Sequence, residues 1–163
     1  MVVVDSSALI PLARVGQLDL VTAIFGACHV TEEIIDEVVV EGKRGSSALQ
    51  TFIEGCEIHG MPDDATQVAE LEGITVADAS VILVAQSRDD ILLANDKGLV
   101  AVARSLDVEV WWVTTLLLQA RKDGVFGTEK SLETLEDLVE EGMNLHPQVY
   151  SQVHRAIQDL EEL

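Results

Sequence analysis

The chain has 163 residues, of which 48% are hydrophobic, enough for one domain with a real core, and its 29 acids against 10 bases give a formal charge of -19. That balance excludes the basic face by which most nucleic-acid binders grip phosphate, and leaves divalent-cation binding, a basic protein partner or a high-salt habitat as its meaning. The longest apolar runs, residues 81–85, 111–113 and 116–118, fall far short of a membrane span, and no cationic start leads into an apolar signal segment, so a soluble, cytoplasmic protein with no membrane partner is expected.

The chain opens on Met1-Val2-Val3-Val4-Asp5-Ser6-Ser7. Three consecutive β-branched residues predict a short, buried parallel strand, and its carboxyl end, the edge where open α/β sheets place their sites, delivers Asp5. Ser6 or Ser7 is expected to cap a helix through Ala13, limited by Pro11. After Gly16, the residues Leu18, Leu20, Val21, Ile24 and Phe25 recur at helical spacing until Gly26, and residues 27–30 predict a second strand. Thr31 is placed to cap the next helix, with Glu32 and Glu33 in its first turn where the helix dipole favours negative charge. Ile34, Ile35, Val38 and Val39 form its core stripe, Glu33, Glu37 and Glu41 a neighbouring row, and Gly42 its end.

A basic loop, Lys43-Arg44-Gly45-Ser46-Ser47, leads to a helix over 48–53, a weak strand over 57–59, a turn at 61–64 and a short helix over 65–71. Thr75, with Asp78 three residues later, has the spacing of a capping box and opens an apolar helix to about Ser87. Residues 91–94 predict a buried strand ending in Asn95-Asp96; a helix from Lys97 to about Ser105 and a final strand over 108–111 follow. From Thr114 the pattern is helical, over 116–122, 132–140 and 149–160. The alternation predicts an α/β fold with a mostly parallel central sheet, helices on both faces and a helical C-terminal layer. The expected organisation is a single domain over 1–163, with its core in 1–113 and the helical layer in 114–163. The Trp111-Trp112 pair and the run 116–118 read as core packing rather than as a dimer patch.

Cys28 and Cys56 make no disulfide framework. A zinc set joining them to His29 and His59 is disfavoured, because Cys28 and His29 are adjacent in a strand and point to opposite faces, so the cysteines read as buried apolar residues. His146 and His154 read as surface or helix-packing residues.

Four acids have a reason to meet. Asp5 and Asp96 each follow a buried strand, Asp78 lies in the first turn of an apolar helix, and Glu37 lies in the helix that leaves the second strand. Singly, each has a plain structural use as a cap or a solvated side chain. Brought together, with no base obliged to pair with them, they form a cluster that is costly unless a cation occupies it, and oxygen donors alone suit magnesium or manganese.

The ordered set resembles the PIN-domain nucleases. The likeness lies in a strand ending in Asp-x-Ser (Asp5, Ser7), a strand and helix carrying Glu37, a helix opening with Thr-x-x-Asp (Thr75, Asp78) and a strand ending in Asn-Asp (Asn95, Asp96), with order and spacing matching along residues 1 to about 113. The stretch 5–13 with Gly16 and Leu18, and the tail 116–124, are similar to a prokaryotic branch of these domains. The resemblance implies a site in which Asp5, Glu37, Asp78 and Asp96 hold Mg2+ or Mn2+, with Ser7 and Asn95 in support. It further implies hydrolysis of RNA phosphodiester bonds, a toxin role with a small antitoxin protein as partner, and a homodimer. Because the surface as a whole is acidic, substrate grip falls to local bases, with Lys43, Arg44, Lys97 and Arg104 the candidates, and to the metal. The rival reading is a catalytically silent PIN-like module that works by protein binding, its acids serving as caps. A phosphoacceptor role for Asp5 ranks low, since residues 6 and 7 are serines and no lysine follows the last strand.

Overall fold

Side chains branched at Cβ crowd a helix but fit a pleated surface, and the runs rich in them become the strands. The computed structural model describes residues 1–40 and 43–160, and in it five strands form one sheet: β1 (Val2–Val4), β2 (Cys28–Thr31), β3 (Glu57–His59), β4 (Ile91–Leu93) and β5 (Val110–Trp111). Every pairing is parallel and the order is β3-β2-β1-β4-β5, so the sheet expected to be mostly parallel is wholly so among the described residues. Val2, Val3 and Val4 are all at 0% exposure although successive side chains point to opposite faces, which means that both faces of β1 are covered. The register sets Val3 between His29 and Leu92, His29 opposite Glu57, and Thr31 opposite His59.

The helices are α1 (Ser6–Arg14), α2 (Asp19–Phe25), α3 (Glu32–Val38), α4 (Ser46–Glu54), α5 (Ala65–Glu72), α6 (Val76–Arg88), α7 (Lys97–Ser105), α8 (Val113–Lys122), α9 (Thr128–Glu140) and α10 (Pro147–Asp159). Several start or stop a few residues from expectation, α9 for example at Thr128, and two of these differences bear on the acids. α1 is capped by Asp5, not by Ser6 or Ser7, because the acid already sits in extended backbone at the strand end with its side chain turned back on the Ser7 N–H. α3 closes at Val38, earlier than expected: three consecutive valines follow one another there, and β-branched residues lose rotamer freedom against the preceding turn. Glu41 and Gly42, expected to extend the glutamate row and end the helix, lie outside the described residues.

α6 explains the sheet's stability on one face. It is apolar nearly all round, buries Ala79, Val81, Ile82, Val84 and Ala85, and lies against β1, β2 and β4 with α5 and α3 beside it. A separate small core, Leu117, Leu135, Val153 and Ile157, joins α8, α9 and α10. Trp111 packs on Phe25 with ring centroids 5.0 Å apart, and Leu116 and Leu117 are buried, which is the core packing read from sequence. No helix among the described residues is long and apolar enough to cross a membrane.

Candidate carboxylate centre at the sheet edge

Strands that all point one way bring their carboxyl ends to one edge, and antiparallel helices bring their amino ends to the same edge. Asp5 follows β1 directly and is 2% exposed. Its Oδ2 accepts from the Ser7 N–H at 3.0 Å and from the Ser7 hydroxyl at 2.5 Å, and Ser7 Oγ in turn accepts from the Asn95 N–H at 2.8 Å. One hydroxyl therefore fastens the acid after β1 to the backbone after β4. Asp5 Oδ1, equally buried, has no hydrogen-bond partner among the described residues.

Two of the other acids, Asp78 and Asp96, arrive on helix starts, whereas Glu37 lies in the last turn of α3. Asp96 caps α7 through Oδ1, which accepts from the Leu99 N–H at 3.0 Å, leaving its second oxygen free of that duty. Asp78 lies in the first turn of α6, where Thr75 Oγ1 accepts its N–H at 3.0 Å. Thr31, at the end of β2, caps α3 through a 3.4 Å bond from the Ile34 N–H, and its hydroxyl meets that of Ser80 on α6 at 2.9 Å. This buried pair ties the helix that carries Glu37 to the helix that carries Asp78.

Charge links the acids unevenly: Asp78 feels Asp5, Asp96 and Glu37, and Asp5 feels Glu37, while the three donors that lie within 4.8 Å of one another among the described residues are His29, Glu57 and His59. Burial raises the Asp5 carboxyl above the ordinary range against its bonds to Ser7, and the charge of Glu37 adds to the rise. Asp78 is pushed up to about 6, by burial first and then by Asp5, Asp96 and Glu37 in that order. Among the described residues none of the four is in an ion pair. A buried carboxylate oxygen with no donor, amid mutually repelling carboxylates and with oxygen as the sole donor type, fits a hard divalent cation.

A pH dependence follows, with its sign fixed by the direction of the shift. Asp78 titrates higher folded than unfolded, so its contribution to stability is full below about pH 4, its unfolded range, and is lost as pH rises through about 6. The metal-free protein is expected to melt higher near pH 5 than near pH 7, and Asp78→Asn to flatten that slope, as thermal unfolding in chelator across pH checks.

The four bases proposed for substrate grip are placed unequally. Lys97 lines a cavity of about 540 Å3 with Asn95, Trp112, Thr114 and His146, beside the Asp96 cap. Arg104 lies over the Trp112 ring at 6.0 Å from its centroid. Lys43 is exposed in the loop before α4, while Arg44 is ion-paired with Glu141 just past α9. Residues distant in sequence made that last pair, and nothing local announced it.

A second polar group retains His29 and His59 from the zinc set disfavoured on sequence and joins them to Glu57 instead of the cysteines. His29 Nδ1 stands 2.9 Å from His59 Nε2 and 3.4 Å from Glu57 Oε2. Burial first, then Arg88, holds His29 below its usual pKa. The adjacency argument holds for the cysteines: both are free, and each thiol turns to a backbone carbonyl, Cys28 to that of Gly26 and Cys56 to that of Phe52. It did not apply to the two histidines, and the signal present was Glu57-x-His59, two donors on one strand face.

A five-stranded sheet, wholly parallel among the described residues, with Asp5 at its carboxyl edge and Asp78 and Asp96 on helix starts, defines an α/β protein with an acidic sheet edge. The chain belongs to the PIN-domain family, whose nuclease-type fold this is: a family model described as "DUF3368: PIN domain" matches residues 1–159. Among solved structures, PAE2754 from Pyrobaculum aerophilum is similar in fold, with a TM-score of 0.58 and 24% identity over 72% of this chain and 93% of that one. A PilT N-terminus domain protein, SSO1118 from the hyperthermophilic archaeon Sulfolobus solfataricus P2, matches with a TM-score of 0.48 and 15% identity over 89% of this chain and 96% of that one. No curated protein matches the chain.

Proposed function

We propose that the protein is a divalent-metal-dependent endoribonuclease that hydrolyses RNA phosphodiester bonds at the edge formed by Asp5, Glu37, Asp78 and Asp96. The observation that carries this reading is Asp5 Oδ1, a buried acceptor without a donor among the described residues, beside acids whose charges raise the carboxyls of Asp5 and Asp78. Magnesium or manganese held there supplies charge that polarises the phosphate and activates water. Asp5 contributes an anchored ligand, fixed in angle by the Ser7 hydroxyl. Asp96 and Asp78 contribute ligands rooted in helix starts, and Glu37 one from an exposed helix face. Lys97 and the face of Trp112, which line one cavity next to the acids, suit a phosphate and a stacked base of a single strand. On family likeness the reading extends to a cytoplasmic toxin, dimeric, and restrained by a small antitoxin protein that covers the acidic edge.

The silent-module reading draws on the capping bonds, which Asp5 and Asp96 do make. Those bonds use one oxygen of each acid and leave the buried Oδ1 of Asp5 unexplained.

Cleavage of a mixed pool of structured and single-stranded RNAs tests the proposal, run with manganese, with magnesium and with chelator at low and high salt. Metal-dependent cutting by the native chain that Asp96→Asn abolishes is expected. Cutting that persists in chelator would contradict it, as would none in any salt. Ser7→Ala removes the fastening of Asp5 and strands the Asn95 N–H. It should lower the metal-dependent rate by roughly 10- to 100-fold, the usual loss when the partner that orients a ligand is removed, while metal-free stability falls much less. Steady-state cleavage beside thermal melting separates the two effects.

A further inference from the structure

The edge of the sheet away from β5 carries a group that the carboxylate centre does not use. We infer that His29, His59 and Glu57 form a second metal site, for a transition ion of the zinc class, clipping edge strand β3 to β2. The register sets His29 opposite Glu57 and Thr31 opposite His59. Side chains two residues apart share a face, and Thr31 bonds to Ser80, so all three donors project on the α6 side of the sheet. Asp5 is two residues past Val3, the partner of His29, which puts His59 two strand spacings from it, about 10 Å, with the Thr31–Ser80 pair between.

The spacing of the donors fits one ion. His29 Nδ1, His59 Nε2 and a Glu57 carboxylate oxygen lie within 4.8 Å of one another, with separations of 2.9 Å and 3.4 Å from His29 Nδ1. Donors around a tetrahedral zinc bonded at about 2.0–2.1 Å stand roughly 3.3 Å apart. Two imidazole nitrogens and one carboxylate suit zinc, whereas magnesium and manganese favour oxygen.

An independent feature orients the buried ligand. His29 is 1% exposed, and its Nε2 is enclosed with no hydrogen-bond partner among the described residues; Asp90 Oδ2 lies 3.9 Å from it, itself held by Arg88 Nε at 2.8 Å. Asp90, whose side chain is far less exposed than that of Glu57 on the Nδ1 side, favours the proton on Nε2 and leaves the Nδ1 lone pair facing His59, the arrangement by which carboxylates set metal-binding histidines. Without an ion, His59 Nε2–H donates to His29 Nδ1. Binding takes His59 to its other neutral tautomer, water carrying the Nε2 proton away and returning one to its Nδ1, so no proton is released overall and both lone pairs then face the metal. The Glu57 side chain is 66% exposed, so the ion is reached from water, and a water completes the set. β3 is a three-residue edge strand whose one sheet neighbour is β2, and a bond through metal reinforces a short ladder.

The test is zinc chloride, and separately cobalt(II), titrated into the purified chain in excess magnesium. Melting temperature and the visible absorption of cobalt are read for the native chain, Asp5→Asn, His59→Gln and the exposed change Glu57→Gln, each shown folded by circular dichroism before metal is added. One equivalent bound by the native chain and by Asp5→Asn, with a rise in melting temperature and visible cobalt bands, is expected. His59→Gln should lose both signals and Glu57→Gln should weaken binding by at least about 10-fold, and the latter decides the matter if His59→Gln does not fold. No rise in the native chain overturns the inference, and so does a rise that survives both His59→Gln and Glu57→Gln. A rise lost in Asp5→Asn alone overturns it too, by placing zinc among the carboxylates. Because the native chain and Asp5→Asn are read side by side, failure here leaves the nuclease reading standing.

Discussion

Asp5→Asn is expected to abolish metal-dependent RNA cleavage and to raise the melting temperature of the metal-free protein. The two effects have one cause. Asparagine caps a helix as well as aspartate does, so the amide oxygen keeps the bond from the Ser7 N–H and the start of α1 is preserved. The amide nitrogen then stands where the orphaned Oδ1 stood, and turns a donor toward carboxylates that had faced another anion. Relief of that repulsion stabilises the fold without metal. The same change removes the charged ligand rooted most deeply in the site. Since losing a group that merely orients a ligand costs about 10- to 100-fold, losing the ligand should cost at least about 100-fold in rate. Melting in chelator and single-turnover cleavage in manganese are the paired readouts. A variant that melts lower and still cuts would show Asp5 to be a cap and nothing more.

Ile82→Ala carries the largest expected loss of stability. Ile82 is at 0% exposure on α6, the helix that lies across β1, β2 and β4, one turn beyond Asp78. Three carbons removed from a site walled by sheet and helix leave a cavity that rigid neighbours fill poorly, and the cost is about 2–5 kcal/mol. Set against a typical domain stability of about 5–15 kcal/mol, that is a large fraction. For a chain of this size it corresponds to a fall in melting temperature of about 2–4 °C per kcal/mol. Leu71→Ala, at a side chain 76% exposed, is the control and should change stability by no more than about 0.5 kcal/mol. Urea midpoints with unchanged slope check both variants.

What was legible in the sequence follows from how local each signal is. Val2–Val4 and Ile91–Leu93 announced buried parallel strands because each is a short apolar run closed by a polar turn, unlike the run 81–85, which sits inside the longer helical pattern of α6, and the acids that follow them reached the sheet edge as a consequence. Thr75 announced the start of α6 because its hydroxyl needs only the N–H three residues on. The start of α1 was misread by a residue or two because Asp5, Ser6 and Ser7 are all good caps, and the choice among them depends on where the strand ends. The end of α3 was overrun because the pattern Ile34, Ile35, Val38, Val39 stays helical in period while the valines' own preference is not. Long-range pairings left no trace. The bond from the Asn95 N–H to Ser7, the ion pair of Arg44 with Glu141, and the register that sets His29 beside Glu57 each join residues far apart in the chain.

The acids' shared neighbourhood is where fold and chemistry meet, and a crystal of the native chain soaked in manganese chloride examines it most directly. Anomalous scattering locates the ion without assuming any role for a residue. Expected is a manganese peak at the carboxyl edge of the sheet, within bonding distance of Asp5 Oδ1 and at least one of Asp78 and Asp96. A well-diffracting soaked crystal with no peak there, or with manganese at His29 and His59 alone, would contradict the carboxylate centre and with it the nuclease reading.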